Sequence, residues 1–534
     1  MAEPRRYPLP ALLACAAVVG AVLAHGTAHG AAVGGPGSGA VAPASSEVPP
    51  TALSSSWFCA GAKAGPAGAV AGTLVVDDAG AKAVTASVRL VSPSGYERHF
   101  SLAVPPGSAT AVPERLPGAP RPAAGGWVGA VVTLYGGMAT VDQEVGGPYG
   151  SDAQPCASTA SPRWYFPAGE TLRNASEEIS LLNPYQVDAI ADLSFTTGQG
   201  REQPLAFEGV VVPAGGLTVL NLGSHLRRRQ RIAARVSVRG GDLVAFETEV
   251  VTHPPAGAPP VGSAGAANPV VPVPGVTLTL GATHTSTSLW WPDGGEGPGL
   301  SESYDIYNPG PQLARLVLSF KEAGPTAAGG ASRRAALAGP GASAGSHLTL
   351  APWGSAVVTT NGQPWALPGA RYVTQLRSTN GASVVAERFT MASSPSPARG
   401  LGAALGQDTQ ASQWVLTGLP EAGQAWVAKG RRAAGHRAAK GGPEHASLSV
   451  ANPGRTPAVV TLHGLLGGEE VPEKALSLVV PPGERAGLGL PPALAGQPLV
   501  LTSTRLVVVE QGWHSSVVRL GSALAPAVPV RPSP

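Results

Sequence analysis

The feature that most constrains this chain is that it repeats itself. Four segments open on aromatic strands: Trp57-Phe58-Cys59, Trp164-Tyr165-Phe166, Trp290-Trp291-Pro292 and Trp414-Val415-Leu416. The openings recur roughly every 105 to 125 residues, longer than solenoid repeats and normal for a β-sandwich domain. Each opening leads to a strand, a turn and a second strand. The turn reads Asn183-Pro184, Asn308-Pro309-Gly310 and Asn452-Pro453-Gly454 in the last three units, and Asp77-Asp78-Ala79-Gly80 in the first. Asn and Asp bond their own backbone beyond the turn, Pro presets φ and Gly supplies positive φ. A second hairpin is built around Val104-Pro105-Pro106-Gly107, Val212-Pro213-Ala214-Gly215, Ala351-Pro352-Trp353-Gly354 and Val480-Pro481-Pro482-Gly483. Each unit closes on strands carrying an acid: Glu247, Glu387, Glu510, and Asp142 or Glu144 in the first.

Short strands, frequent turn signals and no helix of three turns predict an all-β fold. The expected architecture is four tandem antiparallel β-sandwich repeats of immunoglobulin-like kind, after an N-terminal signal or anchor segment. A β-propeller is the alternative, but its blades run about 40 to 50 residues, too short for these units. The division this predicts is a signal peptide or anchor over 1–33, a disordered linker over 34–54, and repeats over 55–155, 156–280 and 281–405. A divergent fourth repeat follows over 406–523, with a Pro-rich tail over 524–534. Three further stretches read as mobile linkers or insertions by composition: 253–276, 324–345 and 422–442.

Arg5 and Arg6 precede an apolar run from Ala11 to Ala24, and small residues follow at Ala28-His29-Gly30 and Ala31-Ala32. That order is that of a secretory signal, with cleavage near Gly30 or Ala32; an uncleaved anchor is the alternative. No later stretch has 18 consecutive apolar residues, so at most one N-terminal membrane anchor is expected. In an exported chain, the two cysteines beyond Cys15 are expected to pair: Cys59 with Cys156. The net charge of +3 lacks the dense basic surface that nucleic acid requires, so no nucleic-acid partner is expected.

Candidate chemistry is sparse. Residues 341–345 spell the nucleophile-elbow pattern Gly-x-Ser-x-Gly, but in a Gly/Ala/Ser stretch without the flanking strand and helix. The terminal acids fall one per unit, whereas a glycosidase needs two in one cleft; their structural role is a cross-strand or edge charge. The histidines, among them His284, His463 and His514, show no metal-ligand spacing and read as surface residues. We therefore expect no catalytic residue, cofactor or metal. The sharpest charge cluster is Arg227-Arg228-Arg229, suited to an acidic polymer or to a solvated loop. The opening tryptophans are expected in cores, while Trp353 and Trp365 lie at or beyond turns and are the better candidates for contact with a ligand.

Several of these motifs together carry a resemblance. Trp57-Phe58-Cys59-Ala60-Gly61, Pro155-Cys156-Ala157-Ser158, Trp164-Tyr165-Phe166, Leu182-Asn183-Pro184, Val211-Val212-Pro213-Ala214-Gly215 and Arg227-Arg228-Arg229 resemble an actinobacterial family of exported proteins of unknown function, of the domain of unknown function 5719 type. The resemblance is strongest from Trp57 to about Glu249 and weakest in the fourth unit. It implies an envelope-associated role and supplies no activity, ligand or catalytic residue. The expected function is an extracellular, non-catalytic structural or interaction protein of the cell envelope with protein partners. A binder of wall polysaccharide is the alternative, and a wall-active hydrolase a third reading.

Overall fold

The computed structural model describes residues 46–531, apart from 65–68, 119–125, 254–271, 323–343, 362–369, 397–398, 419–444, 467–468, 471–475, 492–493, 495 and 516–520. The expected signal or anchor segment, Trp365 and most of the three low-complexity stretches lie outside the described residues. Among those described, structure is all β except two single 3-10 turns, Leu205–Phe207 and Leu222–Ser224. No helix among them is long and apolar enough to cross a membrane.

The first unit sets the pattern. One sheet orders its strands Glu97–Val104, Val84–Val91, Trp127–Tyr135 and Ser54–Lys63. The other orders Ser108–Pro113, Ala71–Asp78, Ala139–Gly147 and Gly150–Pro155. Both orders recur in the other three units. In the fourth, the 17-residue strand Leu499–Ser515 runs through both sheets, pairing first with Ala411–Leu416 and later with Gly521–Pro526. The strands that follow the Asn/Asp turn, such as Val84–Val91, Ala189–Thr197, Ala314–Glu322 and Ala458–His463, alternate buried and exposed from one residue to the next. That period of two sends every second side chain into a core shared by the unit's two sheets. Trp57, Trp164, Trp291 and Trp414 lie fully inside these cores. Burial of the aromatic openings satisfies the indoles locally; Trp164 Nε1, for example, donates to the Leu243 carbonyl at 2.8 Å.

The Asn turns do more than reverse the chain. Asn183 is buried, and its Nδ2 donates to the Val187 carbonyl at 2.8 Å and the Val212 carbonyl at 3.1 Å. Its Oδ1 accepts from the Tyr185 amide at 3.0 Å. One side chain thus closes its own turn and ties it to the Val-Pro-x-Gly turn. Both turns carry the chain from one sheet to the other, so neither is the hairpin expected from sequence: Val210–Val212 pairs with Ala189–Thr197, and Leu217–Asn221 with Ala175–Leu182. Asn308 and Asn452 make the same three kinds of bond. Asp78 keeps only the accepting half, from the Gly80 amide, and burial pushes its carboxyl up to about 6.

The last strands of the four units meet. Gly150–Pro155 lies against Gly275–Leu280, that against Gly400–Leu405, that against Gly521–Pro526, and the circuit returns to Gly150–Pro155. Asp152 Oδ2 accepts from the Leu278 amide at 2.8 Å, and Gln154 Nε2 donates to the Leu524 carbonyl at 3.1 Å. The approach requires glycine at 275, where a Cβ would stand 2.1 Å from Leu401.

The described parts of the two stretches that composition marks as linker and tail, residues 46–54 and 524–531, are structured. Val48 donates its amide to the Pro529 carbonyl at 2.9 Å, and the Arg531 amide donates to the Val48 carbonyl at 2.8 Å. Glu47 pairs with Arg531, and Val48, Val528 and Val530 are buried with the first unit's core. Pro-rich composition suppresses helix but leaves extended pairing open. Cys59 and Cys156 form a disulfide, beside the bridge between Phe58 and Ala157.

Candidate functional site

The chemistry-bearing side chains gather at the joints between units. Register identifies equivalent positions. Asp77, Leu182, Tyr307 and Ala451 precede the four turns, and opposite them stand Thr140, Val244, Val385 and Val508. Two residues further along, Asp142, Phe246, Glu387 and Glu510 are equivalent. Glu247 therefore matches Gln143, Arg388 and Gln511, which corrects the expected equivalence of Glu247 with Glu387 and Glu510. Strand alternation shifts a side chain to the opposite face with a one-residue slip, and the sequence offset concealed that slip.

Each residue of the first set faces a neighbouring unit. Asp142 lies beside Asp77, whose Oδ1 accepts from the Gly418 amide of the fourth unit at 3.0 Å. Glu387 Oε1 accepts from Thr279 Oγ1 of the second unit at 2.8 Å. Glu510 Oε2 accepts from the Asp293 amide of the third at 3.2 Å. Phe246 packs in a cluster that includes Phe58 and Ala60 of the first. The acids are thus buried joint residues and not edge charges as expected.

The joints differ electrostatically. Between the second and third units, Glu177, Glu247, Glu249 and Glu387 are buried near one another, and Glu177 stands opposite Glu249. Burial, then the neighbouring carboxylates, raise Glu177, Glu247 and Glu249; burial pushes Glu387 up to about 8. Such groups are held as neutral acids. Between the third and fourth units the charges are paired. Arg388, fully buried, donates to Glu510 and to the Asp293 carbonyl. Arg485 donates to Asp293 Oδ1 at 2.9 Å and to Ser449 Oγ. Burial pushes Asp293 up, but Arg485, Arg371 and Arg388 outweigh it and hold the carboxyl below its usual range. Burial pushes Glu510 up to about 7 against the pull of Arg388. A guanidinium cannot give up its proton, so Arg388 stays charged, with the Glu510 carboxyl as its acceptor.

The residues nominated from sequence fall elsewhere. Arg227 and Arg228 are exposed, whereas Arg229 is tied to Glu202 by two bonds of 2.7 Å. Trp353 is half-buried, with the Arg201 and Arg235 guanidiniums of the second unit 4.5 and 5.6 Å from its ring centre. Its carbonyl accepts from Thr196 Oγ1 at 2.8 Å. Trp353 also takes the left-handed φ that Gly107, Gly215 and Gly483 take in the other units. The third Pro-x-Gly turn is therefore offset by one residue, and Trp353 rather than Gly354 fills the glycine position. Of the Gly-x-Ser-x-Gly pattern, Ala344 and Gly345 begin a strand, Ala344–Leu350, and the rest lies outside the described residues. His284 is not a free surface residue, since its Nε2 lies 2.8 Å from Asp408 Oδ2, which raises the imidazole. Among the described residues no group of three or more metal-ligating side chains could hold a metal ion.

The Family of unknown function (DUF5719) matches residues 128–441, more than half of the chain. The chain belongs to this family. The DUF5719 match spans the charged joint's Asp293 and Arg388 and ends before Arg485 and Glu510. No curated protein matches the chain. Among solved structures, one titled "Crystal structure of tetra-tandem repeat in extending region of large adhesion protein" is similar at 10% identity, covering 89% of this chain and 99% of that chain, with a TM-score of 0.10.

Proposed function

We propose that this DUF5719 protein is an exported, non-catalytic interaction protein of the cell envelope, whose four immunoglobulin-like sandwich units present sheet edges to protein partners. The observation that carries this reading is a pair of apolar edges. In the second unit Ile190 stands opposite Val211 on the edge strand Val210–Val212. In the fourth, Val459 stands opposite Val479 on the edge strand Ser477–Val480. All four side chains are 40 to 59% exposed. An edge strand that presents exposed apolar side chains is a template for an added strand. The Cys59–Cys156 disulfide supports an oxidising, extracytoplasmic location.

The test is photo-crosslinking in living cells, with a photoreactive residue at Val479 or Val211 and cell fractionation alongside. Discrete crosslinks to an envelope protein, lost in Val479→Lys or Val211→Lys, support the reading. Recovery in the cytoplasm would refute it. So would co-sedimentation with protein-stripped wall without any protein crosslink, which favours polysaccharide binding through residues such as Arg227, Arg228 and Trp353.

A further inference from the structure

The fourth unit departs from the other three at one place, and a cavity results. Opposite Ser449 and Ser447 stand Gly487 and Gly489. The equivalent positions are Ala111 and Pro113 in the first unit, Val219 and Asn221 in the second, and Val357 and Thr359 in the third. On the other side of Ser447 stands Gly512, where the other units carry Glu144, Thr248 and Phe389. Three neighbouring side chains are thus missing from one face of one unit. The space they leave, between the third and fourth units, is a cavity of about 340 Å³. That is within the range of small-molecule sites, ~300 to 1,000 Å³.

The same face gains an arginine. Arg485 takes the place of Ala109, Leu217 and Ser355. It is 8% exposed, lines the cavity, and its Nε has no hydrogen-bond acceptor. Asp293, to which Arg485 donates, Glu302 and Arg371 also line the cavity, with Arg371 60% exposed. Arg485 and Arg371 are paired with Asp293, and Arg388 with Glu510, so every guanidinium at this joint has a carboxyl partner that an added anion would have to displace. Guanidinium donors, a carboxylate acceptor and the Ser447 and Ser449 hydroxyls alternate over a short span. Hydroxyl groups, which both donate and accept, match such a set. Leu300 and Leu524 supply apolar wall for C–H faces.

We infer that the cavity between the third and fourth units is a binding site for a neutral saccharide, anchored by Arg485 and Asp293 over a floor of Gly487, Gly489 and Gly512. This goes beyond the sheet-edge reading and involves none of its residues. The test is ligand-observed NMR and calorimetry on the secreted protein with maltose and with chitobiose, against glucuronate and inorganic phosphate. At least one neutral disaccharide is expected to bind, in preference to both anions. A Cβ at 489 would meet nothing within 4 Å, so Gly489→Leu fills the cavity without a clash against the chain. That variant is expected to keep its melting temperature and lose affinity by about tenfold or more, the equivalent of one or two lost contacts. Arg485→Ala is expected to lose binding similarly, and Gly489→Leu decides the matter if Arg485→Ala fails to fold. No binding of either disaccharide, preference for an anion, or unchanged affinity in Gly489→Leu would overturn the inference.

Discussion

Glu387→Gln tests how the second and third units are joined. Glu387 is 1% exposed, its Oε2 has no partner, and burial lifts its pKa from 4.5 to about 8. A folded pKa above the unfolded one means that the folded state holds the extra proton. Its contribution is fully present below the unfolded pKa and is lost as pH rises through the folded value. From pH 5 to 7.5 that loss is about 3 kcal/mol for this residue alone. Asp142 and Glu114, also raised to about 8 by burial, act in the same direction. Glutamine keeps an oxygen to accept from Thr279 and carries no titrating proton. Glu387→Gln is therefore expected to exceed the native protein by about 4 kcal/mol at pH 7.5 and to come within about 1 kcal/mol of it at pH 5. Equilibrium urea unfolding under non-reducing conditions, followed by tryptophan fluorescence, reads both. A variant no more stable than the native protein at pH 7.5 would refute the reasoning, because the carboxylate would then be ionised against an unrecognised partner.

Arg388→Met is expected to cost about 3 to 5 kcal/mol by stranding Glu510, and the added Glu510→Met to recover most of it; a double variant as unstable as the single one would contradict the pairing. At Trp353 the left-handed backbone and the cation–π contacts oppose one another. Trp353→Ala keeps the strain and loses the ring, whereas Trp353→Gly loses both, so thermal melts should place the glycine variant about 1 kcal/mol above the alanine one. The double substitution Cys59→Ser with Cys156→Ser is expected to cost about 4 kcal/mol in the chain-entropy model, read by calorimetry against the oxidised protein.

The strands were legible because their signals are local. Alternation in stretches such as Val84–Val91 and the Asn, Pro and Gly turn chemistry need no knowledge of distant residues. The tryptophan openings marked the cores for the same reason, since aromatics of that size are rarely left uncovered. The joints were not legible. Asp142, Glu387 and Glu510 look like ordinary edge charges until neighbouring units cover them. A one-residue offset hid that Glu247 belongs to another set. The role of Trp353 was concealed likewise, because Pro352-Trp353-Gly354 imitates the spacing of the other Pro-x-Gly turns while the backbone turns one residue earlier. Comparing the four units position by position would have exposed Gly487, Gly489 and Gly512 as departures, but only once register supplied the alignment.

The clasp of residues 46–48 with 528–531 sets a limit on the order of folding. Glu47 and Arg531 are 484 residues apart in the chain, and Gly521–Pro526 returns to the strand Gly150–Pro155. Contacts of such separation form late, because loop closure must come before the contacts that reward it. Val48 pairs with Pro529 and Arg531, and Val528 and Val530 share the first unit's core. That unit is therefore completed only by residues made about 480 positions later, and the edge at Val48 stays open until they are in place.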